Sequence, residues 1–293
     1  MAHVERHTET LRLKIALAIS FIYFFAELIG GFLTNSLALL SDAGHMLSDI
    51  AALALSLFAF RIAKRPATLS STYGYHRVEI LAALFNGLML WLIVGIIFGA
   101  AYSRFFNPPV VASYGMMIVA SLGLVVNIVA GAVLYGSHHH NLNLRGAFLH
   151  VVSDALGSVG AIVAGLIMLF TGWYVADPVI SILIGLLILH SSWSLIKESF
   201  SVLMQAVPKG IQLEDVRKTI EEVEGVGAVH DLHVWAVTSD IFTLSAHAVI
   251  ENGGDFHAVL NGIEDILKER FNIEHTTIQL EIESREEKEF KAF

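Results

Sequence analysis

The sequence predicts a membrane all-α bundle of six spans, followed by a small α+β domain. Hydrophobic residues make up 55% of the 293 residues and charged residues only 15%, whereas soluble domains carry about 25% charged residues. The charge is also unequally divided. Residues 1–206 hold ten Lys and Arg against nine Asp and Glu, and residues 207–293 hold eight against eighteen. The net charge of −9 is therefore +1 for an apolar part and −10 for an acidic part, which indicates one domain in lipid and one in water.

Six windows are apolar and long enough to cross a bilayer, for which a helix needs roughly 20 residues. The windows are Leu13–Leu33, Ser36–Phe60, Val78–Tyr102, Ser113–Tyr135, Leu144–Phe170 and Val179–Ile196. We therefore predict four parts, namely an N-terminal cytoplasmic arm (1–12), a six-span membrane domain (13–206), a cytoplasmic α+β domain (207–284) and a frayed tail (285–293).

Basic residues beside the spans predict their orientation, because Lys and Arg concentrate on the cytoplasmic side. They occur in the N-terminal arm, in the second-to-third and fourth-to-fifth connections and after the last span, whereas the opposite side has only Arg104. We therefore expect both termini in the cytoplasm. Short termini and compact loops favour the plasma membrane of a bacterium, the inner membrane, although an organelle membrane would give the same topology.

The acidic part alternates between helical and strand patterns. The predicted order is a helix at Leu213–Val223, strands at Val229–Val237 and Ile241–Ile250, a helix near 256–270 and a strand near 276–282. This order predicts a three-stranded sheet covered by helices on one face. If the first strand is regular, His230 shares a face with Leu232 and Val234, and His233 lies on the other face.

Two spans carry ionisable residues in the same spacing, and such residues are expensive in lipid. His45 and Asp49 lie in the second span, and His150 and Asp154 in the fifth. Each pair is His-x-x-x-Asp, so both side chains project from one helix face. The spans run in opposite directions. At about 1.5 Å per residue, all four side chains fall in one layer near the middle of the bilayer.

Two imidazoles and two carboxylates suit tetrahedral Zn²⁺, and the carboxylates cancel its double charge inside the bilayer. Cysteine is absent, so thiolate ligands are excluded. We therefore predict an intramembrane zinc site. A ligand must be deprotonated to bind metal, and the reference pKa of histidine near 6.5 makes imidazole the natural group for coupling metal release to protons.

Further polar residues have two interpretations each. Glu27 and Asp42 lie near the depth of His45, where they would orient a ligand or carry protons, or else contact water in an outer vestibule. His138, His139 and His140 precede the fifth span, where they would deliver metal to the pore mouth or form a solvated turn.

The chain resembles the cation diffusion facilitator family, the zinc/proton antiporters, over nearly its whole length. The likeness lies in six spans, SDAGHMLSD in the second, YGYHRVEILAALFNG opening the third, NLRGAFLHVVSDALGSVG in the fifth, and a cytoplasmic domain ending in HTTIQLE. The resemblance implies that the two His-x-x-x-Asp pairs form the transport site. It also implies proton exchange, a homodimer and a metallochaperone-like (ferredoxin-like) domain. A histidine at the first site position is associated with a preference for zinc over cadmium.

The resemblance further implies a cytoplasmic zinc site. The family's metal cluster maps onto His230, His247 and His257, with Glu281 at a carboxylate position. Gln279, a poor metal ligand, stands at a further ligand position, so the number of zinc ions stays open between one and two. Surface histidines without metal are the alternative. The loop after the second span has only His76, so we predict no metal site there.

Two other classes of function compete with transport. One is an intramembrane zinc enzyme with Glu27 as general base, although four protein ligands would leave no open position for water. The other is a metal sensor without transport. A nucleic-acid partner is excluded by the acidic domain, because phosphate contacts need a basic face. The expected partners are therefore Zn²⁺, protons, membrane lipid and a second copy of the chain.

Overall fold

A computed structural model describes residues 2–135, 142–238, 241–251 and 255–282. Six long helices come first. They are α1 (Ala2–Thr34), α2 (Leu37–Ala63), α3 (Arg77–Phe106), α4 (Ser113–Tyr135), α5 (Leu142–Thr171) and α6 (Ala176–Leu203). A mixed segment follows, consisting of α7 (Leu213–Glu221), β1 (Val226–Thr238), β2 (Ile241–Ile250), α8 (Phe256–Phe271) and β3 (Ile273–Glu281). This order confirms the predicted fold class.

Contacts divide the chain into two compact units. The first comprises Met1–Ala54 and Phe85–Ser194, and the second Leu55–Leu84 and Leu195–Phe293, as far as these ranges are described. The second unit therefore combines the α+β domain with the adjoining ends of α2, α3 and α6. The domain boundaries predicted at 12, 206 and 284 stay predictions.

The first unit is a helical bundle with the composition of a membrane domain. Among the described residues, α2 to α6 each contain a segment long and apolar enough to cross a bilayer, and α1 has the shorter apolar segment Ala18–Thr34. Many large apolar side chains on these helices face outward, as lipid contact requires. Small residues let the helices approach closely. A Cβ atom on Gly30 would lie 2.7 Å from Val119 Cγ2 on α4.

The α+β part of the second unit is a three-stranded sheet in the order β1-β2-β3. β1 and β2 are antiparallel, whereas β2 and β3 are parallel and joined through α8. The alternate β2 residues Leu244, Ala246 and Ala248 are buried against α7 and α8. The helices therefore cover one face of the sheet, as the sequence predicts.

The two ends of helix α8 are explained by the residues found there. Asp255 caps the N-terminus by accepting hydrogen bonds from the backbone N–H groups of His257 (2.9 Å) and Ala258 (3.4 Å), which satisfies otherwise unpaired donors. Asn272 ends the helix in the left-handed conformation (φ 55°), which Asn tolerates better than most residues. Val259, Ile263 and Leu267 form its buried face, at the spacing of one helical turn.

Candidate metal centres

Helices α2 and α5 each present one His-x-x-x-Asp turn toward the same place in the first unit. Asp49 Oδ2 lies 3.7 Å from His45 Nε2 on its own helix and 3.3 Å from His150 Nε2 on α5. Asp154 Oδ2 lies 3.5 Å from His150 Nε2, and the two imidazole rings are 5.4 Å apart. Three of the four residues predicted from the sequence, His45, Asp49 and His150, are therefore brought together across two helices, and Asp154 lies beside His150 on α5.

The donor atoms of this group match what a small cation needs. Ligand atoms from His45, Asp49 and His150 all lie within 4.8 Å of one another. Among the described residues, His45 Nδ1 and Asp49 Oδ2 are buried and have no hydrogen-bond partner, which is costly unless another species satisfies them. The Asp154 side chain is 7% exposed and that of His150 43%, so the site is reached from the side of His150.

A second polar group lies beside this site. Glu27 is 1% exposed and Asp42 5% exposed, so neither contacts water as an outer-vestibule residue would. The two carboxyl groups interact with each other and with Asp154. Tyr23 donates a hydrogen bond to Glu27 Oε1 at 3.1 Å. The interior of the first unit thus holds four acidic residues in a connected cluster.

The second unit contains a compact group of two imidazoles and one carboxylate. On β3, the Glu281 carboxylate contacts both histidines. Its Oε2 is 3.2 Å from His230 Nε2, and its Oε1 is 3.0 Å from His247 Nδ1. His230 and His247 are directly paired across β1 and β2, and their rings are 5.1 Å apart. Ligand atoms of the three residues lie within 4.8 Å of one another. His230 Nδ1 is buried without a hydrogen-bond partner in the described chain, so this donor set fits a metal ion.

Glu281 is held in its charged form by its neighbours. Burial acts to raise the pKa of this carboxyl, but hydrogen bonds from Gln279 and His230 and the charge of His247 outweigh it, so the pKa is lowered below its usual 4.5. Gln279 Nε2 donates to Glu281 Oε1 at 2.6 Å. Gln279 therefore orients the carboxylate, a role that the sequence comparison of ligand positions did not suggest.

The first strand is not regular, and this corrects the predicted assignment of faces. His230 pairs with His247 and His233 with Ser245, so β1 advances three residues while β2 advances two. The extra residue is a β-bulge at Asp231, whose φ of 48° is left-handed. His230 and His233 consequently share the face opposite Leu232 and Val234. The prediction that His230 lies on the side of Leu232 is wrong.

Asp231 is a residue of this site that the sequence analysis missed. Its carboxylate lies 2.9 Å from His233 Nε2 and 3.9 Å from His247 Nε2. The available signal is an aspartate inside an otherwise apolar strand pattern, because Asp is unfavourable in strands but tolerates the left-handed conformation.

Not every predicted residue joins a group. His257 is exposed at the start of α8, and the structure does not bring it into the group of His230, His247 and Glu281. His233 is likewise outside that group and pairs with Asp231. The predicted metal-delivery residues His138, His139 and His140 lie outside the described residues.

Both parts of the chain match family models. The model described as the cation efflux transmembrane domain matches residues 13–204, and the model described as the cation efflux protein cytoplasmic domain matches residues 208–283. Together they span most of the chain, and the two groups of metal-ligand type lie within them. The fold and sites therefore define a multi-pass membrane transporter of metal cations and not an enzyme.

Relatives of high identity support the same class. The chain is 46% identical over 287 residues to a cadmium, cobalt and zinc/H⁺-K⁺ antiporter of Bacillus subtilis, covering 95% of this chain and 92% of the relative. It is 45% identical over 271 residues to the metal cation efflux system protein CzcD of Cupriavidus metallidurans, covering 92% and 86%. It is 41% identical over 292 residues to the zinc transporter ZitB of Escherichia coli, covering 96% and 93%.

Among solved structures, the metal-bound C-terminal domain of the CzcD transporter of Cupriavidus metallidurans is 37% identical, with a TM-score of 0.24. It covers 25% of this chain and is itself covered completely. The family models and the relatives establish that this chain belongs to the cation diffusion facilitator family, as the sequence motifs predict.

Proposed function

We propose that this protein exports Zn²⁺ from the cytoplasm in exchange for protons, by alternating access at His45, Asp49, His150 and Asp154. The observation that carries the proposal is the meeting of two helices at one carboxylate. Asp49 Oδ2 lies within 3.7 Å of a histidine nitrogen on α2 and within 3.3 Å of one on α5. A change in the packing of α2 against α5 would therefore alter the metal site directly.

The chemistry of the four side chains favours zinc among the ions that the relatives transport. Zn²⁺ is borderline-soft and is commonly bound by nitrogen and oxygen ligands in a tetrahedral arrangement. Two carboxylates neutralise the charge of the ion, which would otherwise be too costly to place in hydrocarbon. The B. subtilis relative is named for cadmium and cobalt as well as zinc, so we propose a preference for zinc rather than exclusion of the other two.

Protons drive the export because they compete with zinc for the same ligands. Imidazole and carboxylate bind metal only when deprotonated, so an acidic outer medium displaces zinc from the outward-open site. Glu27 and Asp42 interact with Asp154. We infer that they are accessory groups that take up a proton when the metal leaves.

We further propose that the protein is a homodimer in a bacterial inner membrane, with both termini cytoplasmic. Residues 13–206 form the membrane domain and residues 207–284 the regulatory and dimerisation domain, flanked by the arm and the tail. His230, His247 and Glu281 would hold a zinc ion there, and its positive charge would offset the acidic surface of the domain. His257, exposed on α8, is not required for this three-residue site.

The test is zinc uptake by proteoliposomes with an acidic lumen. Protein molecules inserted with their cytoplasmic side facing the external medium would carry zinc into the lumen. Wild-type protein is expected to accumulate zinc while the lumen becomes more alkaline. Asp49→Ala removes the carboxylate shared by both helices, so both signals should vanish while the protein stays folded.

Asp265→Ala is the matched control, because Asp265 is exposed on α8 and belongs to neither metal group. This variant should retain both signals. Saturable zinc uptake by Asp49→Ala at the wild-type rate would refute the transport site. Uptake without lumenal alkalinisation would refute proton exchange alone.

A further inference from the structure

A cavity of about 400 Å³ lies in the second unit, between the connection from α2 to α3 and the sheet. The polar residues that line it are mostly basic or imidazole side chains. They include Lys64, Arg65, His76 and His275, together with Thr72, Tyr73 and Thr243. No Asp or Glu is among the described residues of the lining. The cavity is separate from both metal groups.

Among the described residues, no carboxylate forms an ion pair with Lys64 or Arg65. The Lys and Arg ion pairs of the described chain involve Arg104, Lys209, Lys218, Lys268 and Arg270. Lys64 instead lies over the ring of Phe60 at 4.2 Å, and Arg65 is exposed. Two cations beside one concave surface repel each other, and a bound anion would remove that repulsion.

Thr243 supplies an unused hydrogen-bonding group in the same cavity. Its side chain is 1% exposed, and Oγ1 has no hydrogen-bond partner among the described residues. A buried hydroxyl without a partner is unfavourable. An oxygen-rich ligand would accept the hydroxyl proton and remove this cost.

The walls of the cavity are held together by specific contacts. Tyr73 stacks edge-on against His275 with ring centroids 5.6 Å apart, and Thr238 donates a hydrogen bond to Glu79 Oε2 at 3.2 Å. Gly74 has a φ of +69°, which allows the loop to turn back toward the sheet. The cavity is therefore bounded by elements that contact one another in the absence of a ligand.

We propose that this cavity binds a phosphate group, carried by the headgroup of an anionic phospholipid or by a soluble phosphate. Guanidinium, ammonium and hydroxyl donors that line one cavity without a carboxylate are typical surroundings of a phosphate in proteins. The membrane helix α2 ends at Ala63, and Ala63 itself lines the cavity. The cavity thus adjoins a span end, where lipid phosphates lie.

The test measures binding to the full-length protein in a non-ionic detergent. Native mass spectrometry would follow short-chain phosphatidylglycerol, and calorimetry would follow inorganic phosphate. The double variant Lys64→Gln, Arg65→Gln should bind whichever probe the wild type binds about thirtyfold more weakly. Each basic side chain near an anion raises the affinity roughly fivefold. The matched control is Arg61→Gln, Arg77→Gln, which removes two charges from the adjoining ends of α2 and α3, outside the lining.

Thr243→Val separates ligand binding from folding. The substitution keeps the side-chain shape and removes the hydroxyl without a partner, so the thermal stability of the ligand-free protein should be unchanged or higher. Affinity for the same probe should fall about fivefold, the typical effect of one lost hydrogen bond.

Binding of phosphatidylglycerol alone would identify a lipid site, and binding of inorganic phosphate would identify a soluble ligand. Either result supports phosphate binding at this cavity, provided that the Lys64 and Arg65 double variant binds the probe more weakly than the control variant does. Equal binding by both double variants, or no binding of either probe to the wild type, would overturn the proposal.

Discussion

Asp177 is fully buried although it lies at the start of a membrane helix, and it belongs to neither metal group. Its carboxylate accepts hydrogen bonds from Ser36 Oγ at 2.7 Å and from the backbone N–H groups of Leu37 at 2.7 Å and Ala38 at 3.1 Å. Arg104 Nη1 lies 3.4 Å away and also donates to the Asn35 carbonyl oxygen. One side chain at the start of α6 thus caps the N-terminus of α2 and binds the end of α3.

Replacing Asp177 with Asn should therefore destabilise the protein strongly. The Asn side-chain amide is neutral, and its N–H group would face the hydrogen-bond donors on α2 that now donate to the Asp177 carboxylate. Arg104 would also lose its acidic partner. We expect a loss of about 3 kcal/mol in the free energy of unfolding, as for other broken buried charge pairs. Titration of the purified protein with a denaturing detergent would measure it, with Asp265→Asn at an exposed site as control. A difference under about 0.5 kcal/mol between the two variants would contradict this role.

The sequence identified some buried acids and missed this one for a physical reason. Asp49 and Asp154 lie well inside apolar windows, where a charge is conspicuous. Asp177 precedes the predicted sixth span, which starts at Val179, and there a charge is ordinarily solvated. Its partners are about 140 positions away in the chain, so only the packed fold reveals why it is buried.

At the scale of elements, the bulge in β1 decides which side chains meet. Without it, His230 would point into the core beside Leu232 and Val234. With Asp231 in the left-handed conformation, His230 faces His247 and Glu281. One residue of irregular backbone therefore positions His230 beside His247 and Glu281.

Two substitutions at Asp231 can test whether β1 forms a bulge there or continues as a regular strand. Asn tolerates the left-handed conformation, so Asp231→Asn should change the stability of metal-free protein by less than about 0.5 kcal/mol. Val is strained there, so Asp231→Val should cost about 2 kcal/mol. Hydrogen exchange of the β1 and β2 amides in the full chain would measure both effects. If β1 were regular at this position, Asp231→Val would destabilise the protein less than Asp231→Asn, because Val favours extended backbone.

Most elements follow from sequence periodicity, and the exceptions have identifiable causes. The bounds predicted for β2 coincide with the observed Ile241–Ile250, because turn residues and an apolar pattern mark both ends. β3 begins at Ile273 and not near Thr276, since Ile273 already pairs with Phe242 on β2. Pairing with a neighbour, which no local pattern encodes, set this boundary.

At the scale of the whole molecule, helix geometry made the membrane group predictable. Equal spacing of His and Asp on two antiparallel spans places all four side chains at one depth, whatever the details of packing. The cytoplasmic group depends on three strands and a bulge, so family resemblance indicated His230, His247 and Glu281 correctly as neighbours but also included His257. The sequence therefore predicted which side chains lie close together more completely for the group on the helices than for the group on the sheet.

The acidic charge of the second part of the chain leads to a prediction about the dimer that we propose. The part of the chain after residue 206 carries a net charge of −10, so two such domains repel each other, and zinc on each would reduce the repulsion. The chain lacks cysteine, so Lys218→Cys on α7 allows a single spin label. Zinc added to chelator-treated full-length protein should shorten and narrow the distance between labels in the two protomers.

Controls can assign this change to the cytoplasmic group. Salt alone should reproduce part of the shortening by screening the charges. His247→Ala should abolish the effect of zinc, whereas His233→Ala, on the same sheet face but outside the group, should retain it. Acidification should weaken the zinc effect because imidazole ligands become protonated, while Glu281, whose pKa is lowered, stays charged until below its usual range. Identical distances with and without zinc would refute the proposal that zinc draws the two domains together, and would leave transport at His45, Asp49, His150 and Asp154 unaffected.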